Sequence, residues 1–181
     1  NDYYVVQITG DCTGPSTTAL VTIYPIPAAP VASDTAICFG EDAEVEATGS
    51  NIAWYSDAAL TTQLGSNSPY ATGETGVNTY NYWATQTENN CESPATQVDI
   101  TIHEIPEAPA ASDTTICFGS ATPDLEATGT NLEWFDDAAL TNLVGTGASY
   151  SSGIAAVGTY TFYVTQTIND CQSPAATVIL T

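Results

Sequence analysis

Five cysteines are the residues of this chain best equipped for covalent chemistry, and they are regularly spaced. Cys38 and Cys117 lie 79 residues apart, Cys12 and Cys91 also 79, and Cys91 and Cys171 80. Thiols at matched positions form disulfides in an oxidising, extracytoplasmic compartment. Metal ligation by these thiols is disfavoured, because no CxxC spacing occurs. The other reactive groups are carboxylates: 21 Asp and Glu stand against one histidine and no Lys or Arg. Pairs such as Glu44 with Glu46, or Asp136 with Asp137, have the composition of an acid–base couple. Alternate residues of a strand share a face, however, which places Glu44 and Glu46 on the solvent side. His103 reads as a strand-end residue, and no serine has a base near it in sequence to activate it. GxSxG, HExxH and phosphate-loop patterns are missing. No catalytic residue is expected, and the chain is not read as an enzyme. Calcium would need six to eight oxygen ligands. Asp57, Asp136 and Asp137, just after Trp54 and Trp134, are weak candidates, but nothing resembles an EF-hand loop. Diffuse screening by cations is the expectation, with no cofactor.

The charge balance narrows the partners. A formal net charge of −21 excludes nucleic acid as an expected partner, because phosphate binding needs cations. It also disfavours anionic membrane surfaces, and no apolar run approaches the 18 residues that suggest a membrane span. With salt bridges nearly unavailable, stability must come from packing, backbone hydrogen bonds and covalent links. Trypsin-like proteases find no cleavage site. The opening NDYYVVQITGDC reads as mid-domain sequence, so the chain is expected to be a window from a longer, processed protein.

The elements that position these residues repeat. SDTAICFG (33–40) returns as SDTTICFG (112–119), and Trp54, Gly65, Tyr70, Tyr80 and Pro94 return as Trp134, Gly145, Tyr150, Tyr160 and Pro174. YYVVQITGDCTGP aligns with YWATQTENNCESP and FYVTQTINDCQSP, making Gln7, Gln86 and Gln166 equivalent. Self-similarity at a fixed period signals an array. The chain divides into the tail of one repeat (1–24) and two whole repeats (25–103, 104–181), with stiff joints at PIPAAP and EIPEAP. Within a repeat the pattern is β. Val98, Ile100 and Ile102 alternate with polar residues, and TYNYWATQT, TYTFYVTQT, IAWYS and LEWFD are strand-like. The single helical hint is SDAALT with its partner DDAALT, where Asp57 or Asp137 could cap one turn. Short strands at this spacing predict an all-β, antiparallel sandwich. The register pairs Cys38 with Cys91 and Cys117 with Cys171, one disulfide per repeat. Closing each loop of about 53 residues would stabilise by roughly 4 kcal/mol. Cys12 is left for a partner upstream. Residues 1–24 are expected to pair as two strands through their GDCTGPST turn.

The Cys…Trp…Tyr…Cys order resembles immunoglobulin-like domains, with departures: Tyr-x-Cys is missing, and the second cysteine sits past the strand, near one end of the sandwich. The chain is more similar to the bacterial Ig-like repeats of Bacteroidota surface proteins, through Ala29-Pro30, Ile37-Cys38-Phe39-Gly40, Ala47-Thr48-Gly49, Trp54-Tyr55, Leu64-Gly65, Tyr70, Thr79-Tyr80 and Cys91-Glu92-Ser93. The resemblance implies tandem Ig-like sandwiches with Trp54, Trp134, Tyr80 and Tyr160 as core aromatics. It further implies type IX export, extracellular display at the cell surface, and a structural role in a fibre or adhesin. Its partners would be neighbouring Ig-like repeats of the same chain, with self-association into fibres. The alternative is a carbohydrate- or protein-binding accessory module of a secreted enzyme, where Trp83 could stack on sugars. The resemblance also implies O-glycosylation at Asp followed by Thr, which singles out Thr35 and Thr114. The competing reading of Asp34 and Asp113 is a turn-forming one, through side-chain to backbone bonds.

Overall fold

The computed structural model describes residues 1–181, all of them in strands, turns or extended connections, with no helix. Two compact units result: Asn1–Ser33, Glu46–Tyr70 and Asn81–Val98 form one, and Asp34–Val45, Ala71–Tyr80 and Asp99–Thr181 the other. No helix is long and apolar enough to cross a membrane.

The second unit holds the complete second repeat. One of its sheets runs in the order Leu143–Thr146, Glu133–Phe135, Tyr160–Thr165, Ala176–Leu180, and the other in the order Ala110–Ala111, Leu125–Thr128, Ser149–Tyr150. The central pairs are antiparallel, with Trp134 opposite Val164 and Phe162 opposite Val178. Period-two alternation then turns one face of each strand inward. Leu125, Leu132, Trp134, Phe162, Val164, Val178 and Leu180 form the core. Tyr150 stacks on Trp134 at 5.8 Å and meets Phe162 edge-on at 5.5 Å. This is the sandwich that the alternation predicts. Within the same unit Thr35–Cys38 runs parallel to the second half of Thr96–His103.

In the first unit Ala53–Tyr55 pairs antiparallel with Gln63–Gly65 and with the end of Asn78–Thr85. Trp54 is fully buried, and Tyr70 stacks on it at 6.4 Å. Residues 1–24 pair with themselves: Asp2–Val5 with Thr17–Leu20, and Ile8–Thr9 with Cys12–Thr13. Their side chains are exposed almost throughout, since few partners cover them.

Two expectations are corrected. SDAALT and DDAALT form tight turns, not helical turns: Leu60 and Leu140 sit at φ +57° and +56°, which stops helical propagation. Tyr80 and Tyr160 are half-buried at the sandwich margin, and the interior places on those strands belong to Tyr82 and Phe162. The Tyr80 hydroxyl needs a polar partner and donates to the Gly76 carbonyl at 3.1 Å, as Tyr160 does to Ala156 at 3.4 Å.

Candidate functional site

The cysteines sit in two recurring local structures. The first is the turn that ends the repeated octapeptide. Cys38 closes the parallel strand opposite His103. Phe39 N–H donates to the His103 carbonyl at 2.7 Å, and Glu41 N–H to the Cys38 carbonyl at 3.1 Å. Gly40 takes φ +95°, which side chains rarely adopt and glycine does freely. The second repeat builds the same turn. Ile116 N–H donates to the Thr181 carbonyl at 2.8 Å, Ser120 N–H to the Cys117 carbonyl at 3.0 Å, and Gly119 has φ +86°.

The second structure is a two-residue hairpin. Thr87–Glu88 pairs with Cys91–Glu92 and Thr167–Ile168 with Cys171–Gln172, in equivalent registers. Their tips have positive φ at both central residues, Asn89 and Asn90 in one, Asn169 and Asp170 in the other. Asn and Asp tolerate that conformation, and it matches the twist of the flanking strands.

The two structures meet across repeats. Cys38 is bonded to Cys171, 133 residues later, with a Cα–Cα separation of 5.5 Å. Beside the bond, Asn169 Nδ2 lies 3.4 Å from His103 Nδ1 and donates when that nitrogen carries no proton. The pairings that the register suggested, Cys38 with Cys91 and Cys117 with Cys171, are therefore corrected: Cys12, Cys91 and Cys117 carry no disulfide. Strand direction gives the reason. In the second repeat Cys171 precedes the strand Ala176–Leu180, whereas the Cys117 turn is bonded to Thr181 at the strand's far end. Five residues of strand cover about 16 Å, and a disulfide needs Cα atoms within about 7 Å. The two cysteines of one repeat thus flank opposite ends of its last strand, and Cys38 is bonded to the hairpin of the next repeat instead. On the chain-entropy estimate a loop of this length stabilises by about 5 kcal/mol. Such a bond belongs to an oxidising, extracytoplasmic compartment.

The carboxylates singled out as acid–base or calcium candidates are engaged in holding turns. Asp57 accepts the Thr61 and Thr62 amides at 3.1 and 2.9 Å and the Thr61 hydroxyl at 3.1 Å. Asp137 accepts the Thr141 and Asn142 amides, both at 2.9 Å, and the Thr141 hydroxyl at 2.7 Å. These donors favour the charged form and hold both carboxyls below the usual carboxylate range, the Thr61 amide contributing most at Asp57 and the Asn142 amide at Asp137. Asp136 accepts from the Asn142 side-chain amide at 2.8 Å. No three His, Cys, Asp or Glu side chains come together as a metal cluster. Glu44 and Glu46 face solvent. With no Lys or Arg, hydroxyls also serve: Tyr55 and Thr85 donate to Glu92 at 3.0 and 2.8 Å. Desolvation, then the Glu92 bond, pushes the Tyr55 hydroxyl up from its ordinary range.

Trp54 and Trp134 are interior residues, each donating its indole N–H at 2.9 Å, to the Asn67 and Gly147 carbonyls. Trp83 is half-buried opposite Tyr55. Asp34 and Asp113 serve another strand, not their own turn: they accept the Asp99 and Ile179 amides at 2.9 and 2.8 Å. That accounts for the recurrence of Asp in the octapeptide. Thr35 is exposed and Thr114 half-buried. The recurring glutamines had no assigned role in the sequence, although their register marked them. Gln86 and Gln166 each accept a loop amide, from Ser50 and Thr130, and donate at 2.8 Å to Ala28 and Glu107 of the proline-rich joints.

Solved structures similar to this chain are immunoglobulin arrays. They include Sidekick-1 immunoglobulin domains 1-4 (11% identity, 99% of this chain and 57% of that chain, TM-score 0.32). The N-terminal Ig1-2 module of the Drosophila receptor protein tyrosine phosphatase DLAR matches at 9% identity, over 84% of this chain and 94% of that chain, with TM-score 0.27. This chain thus spans little more than half of the first of these. No curated protein matches. The family described as "Ig-like domain CHU_C associated" matches residues 27–103 and again 106–181. Those two matches cover most of the chain, which therefore belongs to this family and carries its domain twice in tandem.

Proposed function

We propose that the chain is a structural segment of an extracellular bacterial surface fibre or adhesin, made by a Bacteroidota cell and exported by the type IX route. In this reading 1–24 is the tail of one module and 25–103 and 104–181 are the next two. Its work is mechanical, and the observation that supports this is the Cys38–Cys171 bond between consecutive repeats. Tension applied at the chain ends would pass through that bond. Of 181 residues, the 133 spanned by it would be removed from the load path, leaving 48 that can extend. A carbohydrate-binding role has weaker support, because Trp54 and Trp134 are interior and Trp83 is half-buried in the sheet opposite Tyr55. The same reading places O-glycans at Thr35 and Thr114, with the exposed Thr35 a better acceptor than half-buried Thr114; intact mass of native-host protein reads this directly.

Single-molecule stretching tests the mechanical role. At about 3.5 Å per extended residue, a reductant should add roughly 450 Å of releasable contour length. Cys38→Ser should give the long value without reductant. Equal lengths in oxidising and reducing buffer would overturn the reading.

A further inference from the structure

The second repeat carries the same cysteine turn as the first, but its Cys117 is exposed and has no disulfide partner. In the first repeat the equivalent Cys38 is bonded to a hairpin cysteine. Beside Cys117 lies a groove of about 190 Å³, between the turn Ile116–Ser120 and the segment Ile154–Gly158, floored by Leu180. Phe118 and Val157, both at this groove, are each 81% exposed. Exposed apolar side chains gathered at one groove, rather than scattered singly, have the character of a contact surface. Conversely, Cys91 occupies the hairpin position that Cys171 fills, with the equivalent register and the same two positive-φ tip residues, and it too carries no disulfide.

We propose that the Cys117 turn and its groove are a docking site for the cysteine-bearing hairpin of another module of this kind. The resulting bond would repeat the Cys38–Cys171 bond. One rule then accounts for all five cysteines: each turn cysteine joins the hairpin cysteine of the module that follows, and Cys12 and Cys91 are hairpin halves of the same linkage. Such a contact is heterologous and does not close on itself, so it propagates. The inference stands on the disulfide geometry and is independent of any load the chain carries. Formation consumes two thiols and a disulfide oxidant. The Cys117 thiolate attacks oxidised glutathione and releases one glutathione thiolate. The hairpin thiolate then attacks the mixed disulfide and releases the second, giving one protein disulfide and two reduced glutathiones.

The probe is a second copy of the chain. Concentrated 181-residue protein, incubated with oxidised glutathione, is run on non-reducing gels and mapped with a protease that cuts before Asp. The expected result is a ladder in which peptide 113–123, holding Cys117, is linked to 57–98 or 11–33, holding Cys91 or Cys12. Cys117→Ser should abolish the ladder while leaving the 34–41 to 170–181 link intact. Peptide 113–123 linked mainly to itself, or recovered solely as a glutathione adduct of monomer, would overturn the proposal.

Discussion

At the scale of single residues, the chain meets its charge problem with hydrogen-bond donors. With 21 acidic side chains and no Lys or Arg, carboxylates are held by backbone amides, hydroxyls and side-chain amides. Asp57 and Asp137 follow from this. Their folded pKa values lie below the unfolded one, so their stabilisation is complete above the unfolded value, about 3.9, and is lost as pH falls through the folded value. Carboxyl chemical shifts followed by NMR should show Asp137 titrating below the ordinary carboxylate range, and Asp137→Asn should flatten the acid limb of the stability profile. An ordinary titration at Asp137 would contradict the turn assignment. Close packing gives a second residue-scale test. A Cβ at Gly145 would lie 2.5 Å from the Tyr150 ring, which stacks on Trp134. Gly145→Ala should cost about 1–3 kcal/mol in chemical denaturation, and an unchanged midpoint would show that the ring moves aside freely.

At the scale of elements, much was legible because period two is hard to mistake. Thr96–His103 buries Val98, Ile100 and Ile102 and turns Asp99 and Thr101 outward, as the alternation requires. The turns were less legible. In DDAALT the helix-like composition is overridden by an Asp that binds amides four and five residues on, and by a leucine at positive φ. The octapeptide Asp was visible as a recurrence, but its partner lies 66 residues away on another strand, beyond the reach of local pattern. Asp113→Ala should leave the Ile179 amide without its acceptor. Hydrogen exchange there should quicken by roughly tenfold, the equivalent of about 1.4 kcal/mol, within the range for a bond to a charged group. Unchanged exchange at Ile179 would mean that the bond does not secure the strand.

At the scale of the whole molecule, the pairing of cysteines within each repeat is the sequence reading that the structure overturns. Two cysteines per repeat at a constant period satisfy pairing within a repeat and pairing between neighbours equally well. The signal that separates them is strand direction: a parallel strand carries Cys38 to the far end of Thr96–His103, away from the hairpin that precedes that strand. The charge makes a separate global prediction. All charged side chains repel, so raising salt from 10 to 150 mM should raise Tm by on the order of a few °C, with no attractive pairs to weaken. A fall in Tm would contradict this. The Cys38–Cys171 bond joins the two repeats, and peptide mapping of the oxidised chain without reduction reads it directly. Trypsin finds no site, but cleavage before Asp separates the five cysteines into five peptides. A bond between neighbouring repeats gives 34–41 linked to 170–181, and 34–41 linked to 57–98 would contradict it.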